Sequence, residues 1–390
     1  MAAIYGNSKV TIAAVNARDG DGGCFNDDDK VVSFKHPVSG ASMATRKYNS
    51  HRQYNHTLNY VTRRSEMPLF ARAWTLQEEL LAARVLYYGP TEIFFQCRKL
   101  VACQCKPIIN DSVGNTIKGF YERSRFESTN AQLTLRNWRH VVTQYSSRCL
   151  TVETDRLTAL SGLAKSFMKP DLGAYLAGMW EKDLHESLTW RSWQPKRARP
   201  SVYLAPSWSW ASTGSSIIYE TDGFPLHKAQ DCQSYITILD VACEPSGPDP
   251  TGAVRSGHLR IRGRANSAQL TSSEGGGLIH SGPWLIRVNL DFIPPNLELD
   301  DPLSTLAVQL LLCSGDRFLG YDGSYYFLIL VPAERDGAYE RCGIGFGDAL
   351  HTGNWPKLKI EEGESLLEGA GEYRIEEWFK DVEEQEMTIV

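Results

Sequence analysis

Apolar positions along the chain change their period twice, from a mixed pattern to a helical one and then to strict alternation. Near the start, Val10-Thr11-Ile12-Ala13-Ala14-Val15 is a β-prone apolar run that reads as a buried strand. Chain ends tend to be solvated, so a run this early predicts either a sheet edge or preceding material that is absent. After Pro68, the residues Trp74, Gln77, Glu78 and Leu81 fall at i, i+3, i+4 and i+7, which places them on one helical face. An indole, an amide and a carboxylate then share a surface that is ordinarily apolar. Residues 84–88, a Gly89-Pro90 turn and residues 92–97 follow as a hairpin. The interval 16–68 is rich in Asp, Asn, Gly, Ser and His, the composition of a long surface excursion.

Between 101 and 200 the pattern is helical. Leu135, Trp138, Val142 and Tyr145 form one amphipathic stripe, and Leu157, Leu160, Ala164 and Phe167 form the next. Thr154 or Asp155 is placed to cap the second helix. Further helical pieces are expected at 175–180 and 184–190, before Pro195 and Pro200 break the pattern. From 201 onward the period is two. Candidate strands at 217–219, 235–241, 258–263, 284–290, 306–312, 325–331 and 341–346 are separated by Gly- and Pro-rich turns. This spacing predicts an antiparallel sandwich or barrel-like module. An acid-rich tail, 361–386, carries Tyr373, Ile375, Trp378 and Phe379 and is expected to form a short terminal helix. The fold class is therefore α+β or mixed, with an α/β region at 1–100, a helical region at 101–200 and a β-rich module with an acidic tail at 201–390.

Composition narrows the function. With 42% hydrophobic and 22% charged residues, the 390-residue chain is ordinary and globular. Its formal net charge of -5 argues against a dedicated nucleic-acid binder, which shows a basic excess or stripe. The alternation of Arg260, Arg262 and Arg264 with Ile261 and Gly263 fits the solvent face of a strand better than a phosphate patch. Nine cysteines at scattered spacing, with no secretory segment ahead of them, read as reduced thiols in an intracellular, cytoplasmic protein. No apolar run approaches the ~20 residues that span a bilayer, so neither nucleic acid nor membrane is expected as a partner.

Known catalytic constellations are mostly missing from the sequence. The chain has no G-x-S-x-G elbow, no P-loop and no H-E-x-x-H. Gly343-Ile344-Gly345-Phe346-Gly347 lacks the sixth-position glycine of a dinucleotide loop and reads as a hairpin turn or bulge. Cys97, Cys103 and Cys105 miss the pairing of zinc thiolates, and no metal site is assigned. Glu78 is the one catalytic candidate, since desolvation beside Trp74 would raise its pKa as in a general acid. It is equally placed to pair with Arg72 or Arg84 and act structurally. In Ala205-Pro206-Ser207-Trp208-Ser209-Trp210-Ala211-Ser212, alternation sends Trp208 and Trp210 to one face if the segment is extended. Two such indoles either stack a planar ligand or seal two packed layers, and packing is the commoner use.

Five ordered blocks resemble the fungal heterokaryon incompatibility (HET) domain family. Ile4-Tyr5-Gly6-Asn7-Ser8-Lys9-Val10-Thr11-Ile12-Ala13-Ala14 resembles the family's I-Y-x-x-A-x-x-T-I-A-A block. Arg72-Ala73-Trp74-Thr75-Leu76-Gln77-Glu78 matches R-x-W-T-L-Q-E. Residues 155–164, residues 175–180 and the 205–212 segment resemble D-K-L-x-A-L-x-G-L-A, Y-x-A-G-L-W and A-P-S-W-S-W-A-S. The family-motif residues are thus Arg72, Trp74, Gln77, Glu78, Trp208 and Trp210. The family's upstream blocks are absent, so 1–100 is expected to be the C-terminal part of a truncated HET domain, continued by 101–200. The resemblance implies an effector of non-self recognition and programmed cell death, acting through protein association, self-association included, with no cofactor. It also implies a TIR-like fold; under that alternative NAD is a substrate to be cleaved with Glu78 in the site. A non-functional truncated remnant is the third reading.

Overall fold

A computed structural model describes residues 1–25, 31–46, 67–89, 93–104, 117–127, 130–193, 198–219, 232–273, 276–281, 284–294, 297, 304–318, 321–347 and 379–390. The chain forms two compact units, Met1–Met168 and Lys169–Val390. It is a mixed α/β protein whose C-terminal unit is rich in antiparallel sheet.

The first unit opens with helix α1 (Ala2–Gly6) and strand β1 (Thr11–Ala14). Strands β2 (Val31–Lys35) and β3 (Ser42–Arg46) make a hairpin of their own. Helix α2 (Pro68–Ala71) leads into α3 (Trp74–Leu81), then β4 (Arg84–Tyr88), β5 (Ile93–Cys97) and β6 (Val101–Cys103). The sheet order is β1-β4-β5-β6. β1 runs parallel to β4, from Thr11↔Val85 to Ala14↔Tyr88. Parallel neighbours need a crossover, and α3 lies in that connection. The β4–β5 hairpin is antiparallel, as its alternation predicted.

β1 is a sheet edge and is less buried than its composition implied: Ala13 is enclosed, whereas Ile12 is 60% exposed. The layer beneath it is completed by Val15, Met67, Phe70, Ala82, Val85, Tyr87 and Phe94. Helices α4 (Ile117–Glu122), α5 (Ala131–Ser146) and α6 (Thr158–Phe167) follow. Both predicted stripes are buried along their length. Asn130 caps α5, its side chain accepting from Leu133 N at 3.2 Å. Neither Thr154 nor Asp155 caps α6, because Glu153–Asp155 form a separate 3-10 turn and the helix starts three residues later.

In the second unit the expected helix at 175–180 is instead a hairpin of β7 (Tyr175–Leu176) and β8 (Met179–Trp180). Its turn residues Ala177 and Gly178 have φ of 46° and 99°, the positive values that a two-residue hairpin turn demands and a helix forbids. The expected helix at 184–190 shrinks to α7 (Leu184–Ser187), and Trp190 begins strand β9 (Trp190–Ser192), paired with β10 (Ile217–Tyr219).

The remaining strands are β11 (Cys232–Ser234), β12 (Thr237–Pro245), β13 (Val254–Ser273), β14 (Gly276–Ser281), β15 (Trp284–Leu290), β16 (Thr305–Phe318), β17 (Tyr321–Pro332), β18 (Ala338–Gly347) and β19 (Glu384–Ile389). Antiparallel pairings run β13-β14-β15-β18-β17-β16 and return from β16 to β13, closing a six-stranded barrel. Closure removes free edges, which an open sheet would leave exposed. Its interior is filled by Leu270, Ile279, Ile286, Val288, Leu290, Val308, Leu310, Phe327 and Ile329, among others. Arg260, Arg262 and Arg264 face solvent, with Ile261 and Gly263 buried between them, as alternation required.

Two features of this unit sharpen or alter the expectation. The Gly343–Gly347 run lies inside β18 and begins at a bulge, so of the two readings the bulge holds and the turn does not. The register slips at Cys342, between Leu330↔Arg341 and Ile329↔Gly343, and a Cβ on Gly343 would stand 2.7 Å from Asn289 O. Glycine there lets β15 and β18 approach. The tail ends in strand β19 against β13 and β18; the helix expected around Tyr373, Ile375 and Trp378 lies outside the described residues, while Phe379 packs into the barrel core. No helix among the described residues is long and apolar enough to cross a membrane.

Gly178 tests the hairpin reading. A Cβ there would meet the Trp210 indole at 2.6 Å on backbone at positive φ. Gly178→Ala is expected to destabilise the C-terminal unit by about 2 kcal/mol or more, measured as a lower denaturation midpoint.

Candidate functional site

Helix α3 is short and unusually polar on its buried side. Thr75, Leu76, Gln77, Glu79, Leu80 and Leu81 are buried, whereas Trp74 and Glu78 are only partly so. The acid withdrawn from water is therefore Glu79, one residue beyond the carboxylate that the helical face singled out.

Glu79 is held on both oxygens. Its Oε2 accepts from Arg148 at 3.2 Å, and Tyr87 Oη lies 3.1 Å from its Oε1. Tyr87 Oη is also 3.1 Å from Gln96 Oε1; a phenol has one proton, and the charged carboxylate is the stronger acceptor. Arg148 reaches back to Thr75, its second amine donating to Oγ1 at 2.9 Å, and it lies over the Phe70 ring. Thr75 Oγ1 in turn approaches the carbonyls of Leu69 and Arg72 at 2.9 and 2.7 Å. Backbone bonds from Cys149 N to Ala71 O and from Ala73 N to Cys149 O complete the docking of the helix start.

The other end of α3 is capped by a lysine. Lys118, fully buried on α4, donates to Glu79 O at 2.7 Å and to Ala82 O, and reaches Leu80 O at 3.4 Å. These are the carbonyls that a helix C-terminus leaves without intrahelical partners, and the helix dipole favours a cation there. Burial lowers the Lys118 pKa to about 8, against the opposing attraction of Glu79 and Glu122.

The motif residues occupy different surroundings. Glu78 faces α1, where it accepts a hydrogen bond from Tyr5 with Arg72 nearby. Burial, then the Glu78 charge and this bond, raise the Tyr5 pKa, and Arg72 opposes them. Arg84, the other partner considered for Glu78, instead donates to Lys9 O at 3.3 Å. Gln77 packs on Gly162 of α6, where a Cβ would stand 2.2 Å from its Oε1. That buried oxygen has no hydrogen-bond partner among the described residues, and it occupies the room that the missing side chain of Gly162 leaves. The R-x-W-T-L-Q-E and D-R-L-T-A-L-S-G-L-A segments thus meet at Gln77 and Gly162.

Trp208 and Trp210 belong to the C-terminal unit. They do not share a strand face, because Ser209 caps a 3-10 turn, Trp210–Ser212, by accepting from Ala211 N at 3.1 Å. Both indoles are fully buried, so neither offers a stacking surface. Trp210 donates to Gly178 O at 3.1 Å, Trp190 donates to Trp208 O at 3.0 Å, and Ser209 donates to Ala177 O at 2.6 Å. Ser207 donates to Val390 O and accepts from Arg341 N at 2.9 Å. Arg341 is the centre of this cluster. It pairs with buried Asp291 at 2.9 Å, donates to Leu188 O and Trp190 O, and lies 3.6 Å from the Trp190 ring centroid. Burial raises the Asp291 pKa, opposed by the Arg341 charge.

Sequence reasoning missed Glu79, Lys118, Arg148, Asp291 and Arg341. Only Glu79 carried a local signal, lying four residues after Thr75 on the same helical face. Among the described residues no cluster of His, Cys, Asp or Glu could hold a metal ion.

One family model matches the chain: residues 1–78 correspond to Heterokaryon incompatibility protein (HET). The matched span ends at Glu78, inside α3, and includes the first two of the five resembling blocks. No curated protein and no solved structure matches the chain.

Two outcomes test the network. Arg148→Met strands a buried carboxylate and is expected to cost about 3–5 kcal/mol, whereas Glu78→Gln, beside a partly solvated pair, costs about 1 kcal/mol or less; chemical denaturation separates them. Lys118 has a folded pKa near 8 against the ordinary 10.5, so over that interval the unfolded chain holds the proton that the folded chain has lost. Stability of the N-terminal unit is expected to rise with pH from about 8 to 10, and Lys118→Met should flatten that rise.

Proposed function

We infer that this chain, a protein of the heterokaryon incompatibility family, is an effector of fungal non-self recognition that acts in the cytoplasm through protein association and leads to cell death. The observation that carries this reading is the use of the motif side chains. Gln77 is spent on packing against Gly162, Trp208 and Trp210 are enclosed, and Glu78 is engaged by Tyr5. Residues so employed hold the fold together and leave no open reaction centre among them, which favours action by association over catalysis. The parallel β1–β4 pair with α3 in its crossover is the part of the architecture that favours a TIR-like reading of the N-terminal region.

Inducible expression in a filamentous fungus, scored by vital-dye uptake, tests the proposal. The intact chain and Glu78→Gln are both expected to kill, and Arg148→Met, which destabilises the N-terminal unit, is expected to kill less or not at all. Survival of cells expressing the intact chain overturns the effector reading. Loss of killing in Glu78→Gln, together with loss of NAD depletion seen with the intact chain, would replace association by NAD cleavage.

A further inference from the structure

The β2–β3 hairpin pairs with no other strand among the described residues. Its register, Val32↔Thr45 and Phe34↔Met43, gathers Val32, Phe34 and Met43 on one face and leaves Ser33, Lys35, Ser42 and Ala44 on the other. The apolar face is open: Val32 is 62% exposed, Phe34 46% and Met43 43%, and Val38 in the turn is 89% exposed. The turn is nonetheless well formed. His36 N donates to Ala41 O at 2.8 Å and Gly40 N to His36 O at 2.9 Å, while Ser39 N donates to His36 Nδ1 at 3.2 Å. Gly40 supplies the positive φ of 68°. A lone two-stranded ribbon is marginal in water unless its apolar face is covered.

Charge identifies the cover. Residues 31–46 contain Lys35 and Arg46 and no Asp or Glu, in a chain whose net charge is -5. The nearest acids in sequence, Asp27, Asp28 and Asp29, precede Val31 and are far in sequence from the turn at Val38. A second copy would bring the same cations together, and nucleic acid offers nothing to four exposed apolar side chains. An interface that is anionic outside and hydrocarbon within satisfies both sets of residues.

We propose that the β2–β3 hairpin docks the protein peripherally on an anionic phospholipid surface. Val38 enters first, Phe34 and Met43 lie at the acyl boundary behind it, and Lys35 extends its stem to the lipid phosphates. The expectation of no membrane contact rested on whole-chain charge and on spanning length, and neither bears on a ribbon that lies at the interface.

Flotation of the full chain with phosphatidylcholine vesicles, with and without phosphatidylserine, tests this. Binding is expected with the serine lipid, weaker in high salt, and reduced roughly five-fold or more by Lys35→Glu. Val38→Asp should lower it by at least about ten-fold without moving the thermal melt, since Val38 is solvent-exposed. Absence of flotation with anionic vesicles, or flotation that Val38→Asp leaves unchanged, overturns the proposal. A dimer in buffer that Val38→Asp dissolves, without vesicle binding, would assign the ribbon to a second copy and likewise overturn it.

Discussion

A cation withdrawn from water and met on every side by fixed acceptors organises each unit of this protein. In the N-terminal unit Arg148 joins Glu79 to Thr75, and Lys118 closes the C-terminal end of the same helix. In the C-terminal unit Arg341 joins Asp291 to the carbonyls of Leu188 and Trp190. Removing such ions from water costs several kcal/mol each, which their mutual attraction repays only when the geometry is good. They therefore contribute little net stability over an apolar substitute. What they do impose is a single arrangement, since any other packing leaves a buried charge unmet.

This constraint explains why the densest motifs are polar without being open chemistry. The amide of Gln77 exists against a glycine, and adding one methyl at Gly162 would collide with it. The serines of the 205–212 segment are likewise consumed. Ser207 fastens the C-terminal Val390 and the Arg341 backbone, and Ser209 fastens the β7–β8 turn. The unsatisfied oxygen of Gln77 is a stability cost of roughly 1–3 kcal/mol that the packing of α3 on α6 must offset.

The β2–β3 ribbon obeys a different logic. It takes part in none of these networks, and Lys35 on one face and Val32, Phe34 and Met43 on the other are all exposed. Averaged over the whole chain, its charge disappears into an acidic total. A local surface can thus have a chemistry that composition hides.

Periodicity alone determined much of the architecture. The stripes of Leu135 to Tyr145 and Leu157 to Phe167, the β4–β5 hairpin and most strands of the barrel were legible, because burial of one face imposes a repeat of 3.6 or 2 residues. The motif around Arg72 to Glu78 was legible as a resemblance, and Thr75, Leu76 and Gln77 within it are buried against close neighbours. Tertiary structure decided what periodicity cannot carry. It turned 175–180 into a hairpin, since Trp210 packs on Gly178 from a distant segment. It closed the barrel through the β13–β16 pairing, and it moved the buried acid from Glu78 to Glu79. That last choice was made by Arg148, 69 residues further along the chain. A short helix shows its polar faces in sequence, but which of them is dry depends on the partners that arrive there.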